Sequence, residues 1–82
     1  MNEHTIPLAM AKKGETLKVV SLRGGWGIHK KLTDMGLTSG VNIRVINSQM
    51  PGPVVIELRG SRVALGRGIA QRIMVTSEKR VR

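Results

Sequence analysis

The close spacing of turn signals is the feature that most constrains the fold of this chain. Glycine and proline divide the 82 residues into segments too short for repeated units of a strand, a crossover helix and a second strand. A chain of this length forms one domain, because it buries only about 60% of its unfolded surface. We therefore expect one domain over residues 1–82, with residues 1–5 and 77–82 as flexible tails.

Alternating apolar and polar residues predict strands between these breaks. The alternation has the period of a half-buried strand over residues 41–46, and β-branched residues favour a strand over residues 17–22. Residues 54–59 continue the pattern, and Gly60 with Ser61 suits a two-residue hairpin turn with glycine first. The return strand is then residues 62–65, and residues 73–76 form the last strand.

One segment follows a helical period instead. Ile28, Leu32 and Met35 stand at i, i+4 and i+7, which places them on one stripe of a helix over residues 28–35. Gly36 then ends this helix as a left-handed cap.

A second helical turn is expected over residues 67–72, although Gly66 and Gly68 weaken it by about 1 kcal/mol each. Five short strands, one short helix and this second helical turn predict a mostly β fold that curls into a small, partly open barrel. An SH3-like barrel fits best. An OB-type barrel is the second choice, since it usually needs longer strands and places its helix between the third and fourth strands.

The charge of the chain indicates an electrostatic partner without identifying it. Fourteen Lys and Arg against five Asp and Glu give a net charge of +9, which attracts nucleic acid, anionic lipid or an acidic protein surface. Trp26 is the only aromatic residue. Modules that stack bases, or that bind proline-rich peptides, use several aromatic side chains, so neither mechanism is favoured here.

The residues needed for catalysis or tight metal binding are scarce. There is no cysteine, and the two histidines, His4 and His29, stand apart. His29 and Asp34 are five positions apart on the predicted helix, so they do not face each other as an acid and base pair. Residues 24–27 form a glycine-rich loop before a helix but lack the phosphate-loop spacing. We expect no enzyme activity, no resident metal and no cofactor.

Three features are candidate binding elements. Strand alternation predicts that Arg44, Arg59 and Arg62 share the face opposite the apolar one, where they form either a basic patch or simply a soluble surface. The loop at residues 50–53 has an apolar tip, so that Met50 is either an exposed contact or a lid on the barrel. Trp26 is either an interface anchor or a core residue.

Several stretches, taken in chain order, resemble a known family. They are L-x-x-M-G-L-x-x-G over residues 32–40, G-P-V-V-I over residues 52–56, and A-L-x-x-x-x-A-x-x-I-x-V over residues 64–75. With residues 8–14 and the glycines at 24 and 25, they are similar to the FeoA domain over nearly the whole chain. The chain departs from the family pattern at Trp26, at Gly68, and at Ser39, where the family often has proline.

The resemblance implies an SH3-like barrel in the cytoplasm that serves the FeoB-type ferrous iron transporter, a membrane protein with a cytosolic GTP-binding domain. Similar domains stand at the carboxyl end of iron-dependent repressors, and the family carries no settled catalytic residues. We therefore expect a cytoplasmic accessory protein of bacterial ferrous iron uptake that binds the cytosolic part of this transporter. The expected contact residues are Trp26, Leu37, Arg44, Met50 and Pro51.

A small nucleic-acid-binding module that uses the arginine face is the alternative hypothesis. Nucleic acid is the less favoured partner, because no recognition helix with base-reaching side chains is evident. We expect no secretory leader and no membrane insertion, since no stretch approaches the roughly 20 apolar residues of a span. The oligomeric state, and whether the effect on transport is activating or inhibiting, stay open.

Overall fold

The computed structural model describes residues 4–77, and short antiparallel strands make up most of them. The strands are β1 (Ile6–Pro7), β2 (Thr16–Leu22), β3 (Asn42–Asn47), β4 (Val54–Leu58), β5 (Ser61–Leu65) and β6 (Ile73–Ser77). The helices are α1 (Trp26–Asp34) and α2 (Arg67–Ala70), and one 3-10 turn covers Leu8–Met10. Each of the five predicted strands and both predicted helical segments is present, so the mostly β prediction is confirmed.

The strands form one sheet in the order β1-β6-β2-β3-β4-β5, with every neighbouring pair antiparallel. The sheet curls but is not closed, since β1 and β5 form its two edges. Register shifts in the β2–β6 pair, between Val19 and Ser21, and in the β3–β4 pair bend the strands. The sheet therefore wraps around a single core.

Alternation along the strands supplies that core, as predicted. The burial pattern of β4 alternates strictly, and Leu17 and Val19 in β2 face inward together with Ile43 and Val45 in β3. Leu32 of α1 is buried, and Ile28 and Met35 pack against the core from the same stripe. Among residues 4–77, no polar or charged side chain is fully buried.

The end of α1 is a Schellman motif. The N–H of Gly36 donates to the carbonyl of Thr33, and the N–H of Leu37 donates to the carbonyl of Leu32, each at 2.9 Å. Gly36 has φ +96°, so the predicted left-handed cap is confirmed. The helix begins at Trp26, two residues earlier than predicted, because Gly25 takes the N-cap position without a polar side chain that would have marked it.

Two other predicted details are wrong. Leu58 pairs with Ser61, so the hairpin turn consists of Arg59 and Gly60 rather than Gly60 and Ser61. Both turn residues have positive φ, 51° and 84°, which is the type I′ geometry that matches strand twist. Arg59 therefore lies in the turn and not on a strand.

The described ends of the chain make backbone and side-chain contacts with the sheet. Ser77 ends β6 and pairs with Leu17, and the Oγ1 of Thr76 donates to the carbonyl of His4 at 3.0 Å. The rest of the predicted tails, residues 1–3 and 78–82, lies outside the described residues. The two-residue strand β1 was not predicted, because it is too short to show a period.

Candidate interaction surfaces

The side chain of Arg67, the first residue of α2, ties three backbone segments together. Its Nε donates to the carbonyl of Gly52 at 3.1 Å, its Nη1 to that of Ala9 at 3.3 Å, and its Nη2 to that of Ser48. The guanidinium group is partly buried, and three of its five donors meet carbonyl oxygens. Arg67 therefore fixes the β3–β4 loop against the 3-10 turn.

Ser48 strengthens the same junction. Its hydroxyl donates to the carbonyl of Ala11 at 2.9 Å, across 37 positions of the chain. Met10 lies between the two tied carbonyls of the 3-10 turn, and Met50 lies between the two tied carbonyls of the loop. The side chains of both methionines point into solvent, 67% and 72% exposed. Sequence reasoning missed Arg67, because nothing in the local pattern reports contacts across such distances.

These residues form the first candidate surface. We name Met10, Met50 and Pro51 the methionine surface; Pro51 is also exposed. The open question about the loop is resolved, because Met50 is a solvent-facing residue and not a lid. Methionine is unbranched and polarizable, so two exposed methionines on a fixed backbone make an adaptable apolar contact.

Trp26 marks a second surface at the start of α1. Its side chain is 74% exposed, so the alternative of a core residue is excluded. It lies beside a shallow open hollow lined by His29, Lys30, Thr33 and Asp34. We name Trp26 and these helix residues the Trp26 face. It follows the end of β2, whereas the loop with Met50 follows β3 at the other end of the β2–β3 pair.

Leu37 does not belong to either surface. Its side chain is 0% exposed, because the Schellman motif turns the residue after Gly36 back onto the helix end and the core. The expectation that Leu37 contacts a partner does not agree with this burial, because its side chain is not available at the surface.

The predicted basic patch is interrupted. In the sheet register Arg44 pairs with Glu57, and Glu57 pairs with Arg62, so a carboxylate stands between the two arginines on the outer face. Arg59, the third member, lies in the β4–β5 turn instead. The prediction that all three arginines lie on one strand face is wrong for Arg59, and Arg44 keeps an exposed, mid-strand position.

Within residues 4–77, no three His, Cys, Asp or Glu side chains group as metal ligands would. Over the same residues, neither helix has the length and apolar character needed to cross a bilayer.

Together, the curled antiparallel sheet and its short helices define a small β domain of the SH3-like class. Residues 6–77 match the family model of the FeoA domain. The chain belongs to the FeoA domain family, a family of accessory proteins of ferrous iron transport rather than of enzymes. This confirms the family resemblance that the sequence motifs carry.

Individual relatives agree with this assignment. A protein of Methanocaldococcus jannaschii, provisionally named Fe(2+) transport protein A, is 45% identical over 69 residues, which cover 84% of this chain and 83% of the relative. A crystal structure of an iron uptake regulatory protein, FeoA, superposes with a TM-score of 0.80 at 40% sequence identity. The match covers 88% of this chain and 95% of the FeoA chain.

The fold also occurs in larger regulators. A manganese-dependent transcriptional repressor superposes with a TM-score of 0.85 at 20% identity, covering 94% of this chain but 44% of the repressor. At this identity the likeness concerns the fold alone. The same fold therefore also forms part of a larger chain.

Proposed function

We propose that this protein is a cytoplasmic accessory protein of ferrous iron uptake that binds the cytosolic part of a FeoB-type GTP-binding transporter through the methionine surface. Membership in the FeoA family supports the pathway. The observation that carries the proposed contact is the exposure of Met10 and Met50 on two segments that Arg67 holds in place.

Fixing these segments in advance favours binding. An exposed loop that must order on binding loses about 0.5–1.5 kcal/mol for each immobilised side chain. Arg67 and Ser48 have already ordered the backbone on both sides of Met50. Apolar anchors on such a backbone are typical of interface centres, and the net charge of +9 would accelerate encounter with an acidic partner.

The test is a titration of protein labelled at its methionine methyl groups with the cytosolic domain of the transporter, in each nucleotide state. We expect saturable shifts at Met10 and Met50, while the half-buried Met35 and Met74 serve as internal controls. A difference between nucleotide states would indicate regulation, since a partner shifts an equilibrium only by its differential affinity for the states. Shifts at no methionine, with binding still detected, would contradict this surface.

Matched variants sharpen the test. Met50→Gln keeps an unbranched side chain but places an amide at the exposed tip, and we expect at least about tenfold weaker binding, the loss typical of an interface anchor. Ser21→Gln changes an exposed residue of β2 and should leave the affinity unchanged. Equal losses in the two variants would argue against the methionine surface.

A further inference from the structure

The exposure of Trp26 is unexplained by the methionine surface. Within residues 4–77 the large apolar side chains that are strongly exposed are Met10, Met50 and Trp26, and the first two share a different surface. Trp26 therefore stands alone among its neighbours as an exposed apolar group. Its flanking residues Gly25 and Gly27 have no side chains that could cover the indole ring.

Cationic residues lie near this tryptophan. Arg23 precedes it by three positions, and Lys30 follows it one helical turn later on α1, both exposed. Arg72 joins them, because the N–H of Arg23 donates to its carbonyl at 2.7 Å and its side chain passes over Gly24. A Cβ added to Gly24 would lie 3.5 Å from Cδ of Arg72.

One carboxylate of the Trp26 face opposes these three cations. Asp34 accepts a hydrogen bond from Nζ of Lys30 at 3.2 Å, in an exposed pair that contributes little to stability. The first turn of α1 contains no acidic residue. The surroundings of Trp26 therefore carry a clear excess of positive charge.

A single amphipathic ring within a group of cations fits one kind of partner best. The centre of a protein interface clusters several apolar anchors and is depleted of charge, whereas Trp26 has no large exposed apolar neighbour among residues 4–77. Single-stranded nucleic acid stacks on several aromatic rings, and this chain has one. At an anionic membrane surface, tryptophan lies at headgroup level and nearby Lys and Arg bind lipid phosphates.

We propose that the Trp26 face, with Arg23 in the loop before α1 and Arg72 against that loop, docks on the surface of an anionic lipid bilayer. The indole ring would lie among the headgroups, and the contact is peripheral. The hollow beside Trp26 is shallow and open, which suits a surface without fixed shape. The Trp26 face is separate from the methionine surface, and the test of lipid binding contains no other protein, so either proposal can fail without the other.

The test uses the emission of Trp26, which reports this site alone because it is the chain's only aromatic residue. The full chain is mixed, at physiological ionic strength, with vesicles of phosphatidylcholine or of equal phosphatidylcholine and phosphatidylglycerol, and co-sedimentation is measured in parallel. We expect a shift of the emission to shorter wavelength, and co-sedimentation, with the mixed vesicles only. Neither effect, or co-sedimentation without the shift, would overturn the proposal.

Soluble polyanions test the competing partners. Short duplex DNA and polyglutamate are added at the same concentration of negative charge. We expect no emission shift with either. A shift with one of them and not with the vesicles would assign the Trp26 face to nucleic acid or to an acidic protein, and would overturn the lipid assignment.

A gain of affinity gives a test that misfolding cannot imitate. Asp34→Asn removes the one carboxylate of the Trp26 face and frees Lys30, so binding to the mixed vesicles should tighten about fivefold. Glu57→Gln changes the net charge equally on the outer sheet face and should tighten binding less than about twofold. Equal gains would show that binding follows net charge, and would overturn the assignment to this face.

Discussion

The Nε of Arg67 donates to the carbonyl of Gly52 at 3.1 Å, a hydrogen bond between the first turn of α2 and the loop that leads into β4. The other two guanidinium nitrogens reach the 3-10 turn and Ser48. A charged donor that meets several carbonyls on partly buried backbone has a larger net effect than a surface ion pair, because hydrogen bonds to charged groups are stronger and water screens them less there. Arg67 thereby links the stability of the fold to the shape of the methionine surface.

Replacing Arg67 should therefore destabilise the protein. We expect Arg67→Ala to lower the free energy of unfolding by about 2–4 kcal/mol, and Arg67→Lys by about half as much, since an ammonium group lacks the planar fork. Urea denaturation measures both. Arg62→Ala, on the exposed edge strand, should change stability by less than about 0.5 kcal/mol. Equal effects at the two positions would contradict the role of Arg67.

The Arg67→Lys variant should also loosen the methionine surface. Without Arg67, the loop and the 3-10 turn keep only the hydrogen bond from Ser48 to Ala11 between them. We expect the methyl signals of Met10 and Met50 in Arg67→Lys to show faster local motion, measured by relaxation, while those of Met35 and Met74 stay unchanged. Uniform changes at all four methionines would instead indicate a general loss of structure.

Leu37 tests the Schellman motif. Because its side chain is fully buried, Leu37→Ala should destabilise the fold by about 2–5 kcal/mol, through lost burial and the cavity left behind. Met50→Ala also shortens an apolar side chain, but an exposed one, and should cost less than about 0.5 kcal/mol. Thermal and urea unfolding compare the two, and similar losses would contradict the assigned burial.

A substitution at Arg59 in the β4–β5 turn should stabilise the protein. Arg59 holds a left-handed conformation at φ 51°, which is unfavourable for most residues other than Asn, Asp and Gly. Asn followed by Gly is the preferred type I′ pair, so Arg59→Asn should raise the free energy of unfolding by about 0.5–1 kcal/mol. Arg62→Asn makes the same substitution in an extended strand and should not raise the free energy of unfolding. A loss in Arg59→Asn would contradict the turn assignment.

The strands were predictable because their evidence is local. In β4 the burial alternates strictly from Val54 to Leu58, as the alternation of apolar and polar residues in the sequence predicts. The stripe of Ile28, Leu32 and Met35 is equally local, and all three residues pack on or into the core. Period and turn chemistry therefore sufficed for most of the fold.

The surfaces were less predictable because their evidence is not local. Gly60 can occupy either position of a two-residue turn, and the pairing of Leu58 with Ser61 decides between them. The exposure of Trp26 depends on the helix starting at a glycine cap, which has no side-chain signal. The burial of Leu37 follows from the geometry of the helix end, and the contacts of Arg67 span up to 58 positions.

The interrupted arginine row leads to a prediction about nucleic acid. Glu57 lies between Arg44 and Arg62 in the sheet register, and its carboxylate opposes a phosphate chain on that face. We expect the native protein to bind duplex DNA only without sequence preference, with a Kd of about 10⁻⁴–10⁻⁶ M at physiological salt. Glu57→Gln should tighten this binding about fivefold and steepen the salt dependence by about 0.9 in log–log slope, as one further phosphate contact becomes available. Fluorescence anisotropy over a salt series measures both, and Asp34→Asn removes a carboxylate on α1 as the control. Tight, sequence-dependent binding by the native protein would contradict this prediction and would favour a nucleic-acid-binding role for the sheet face.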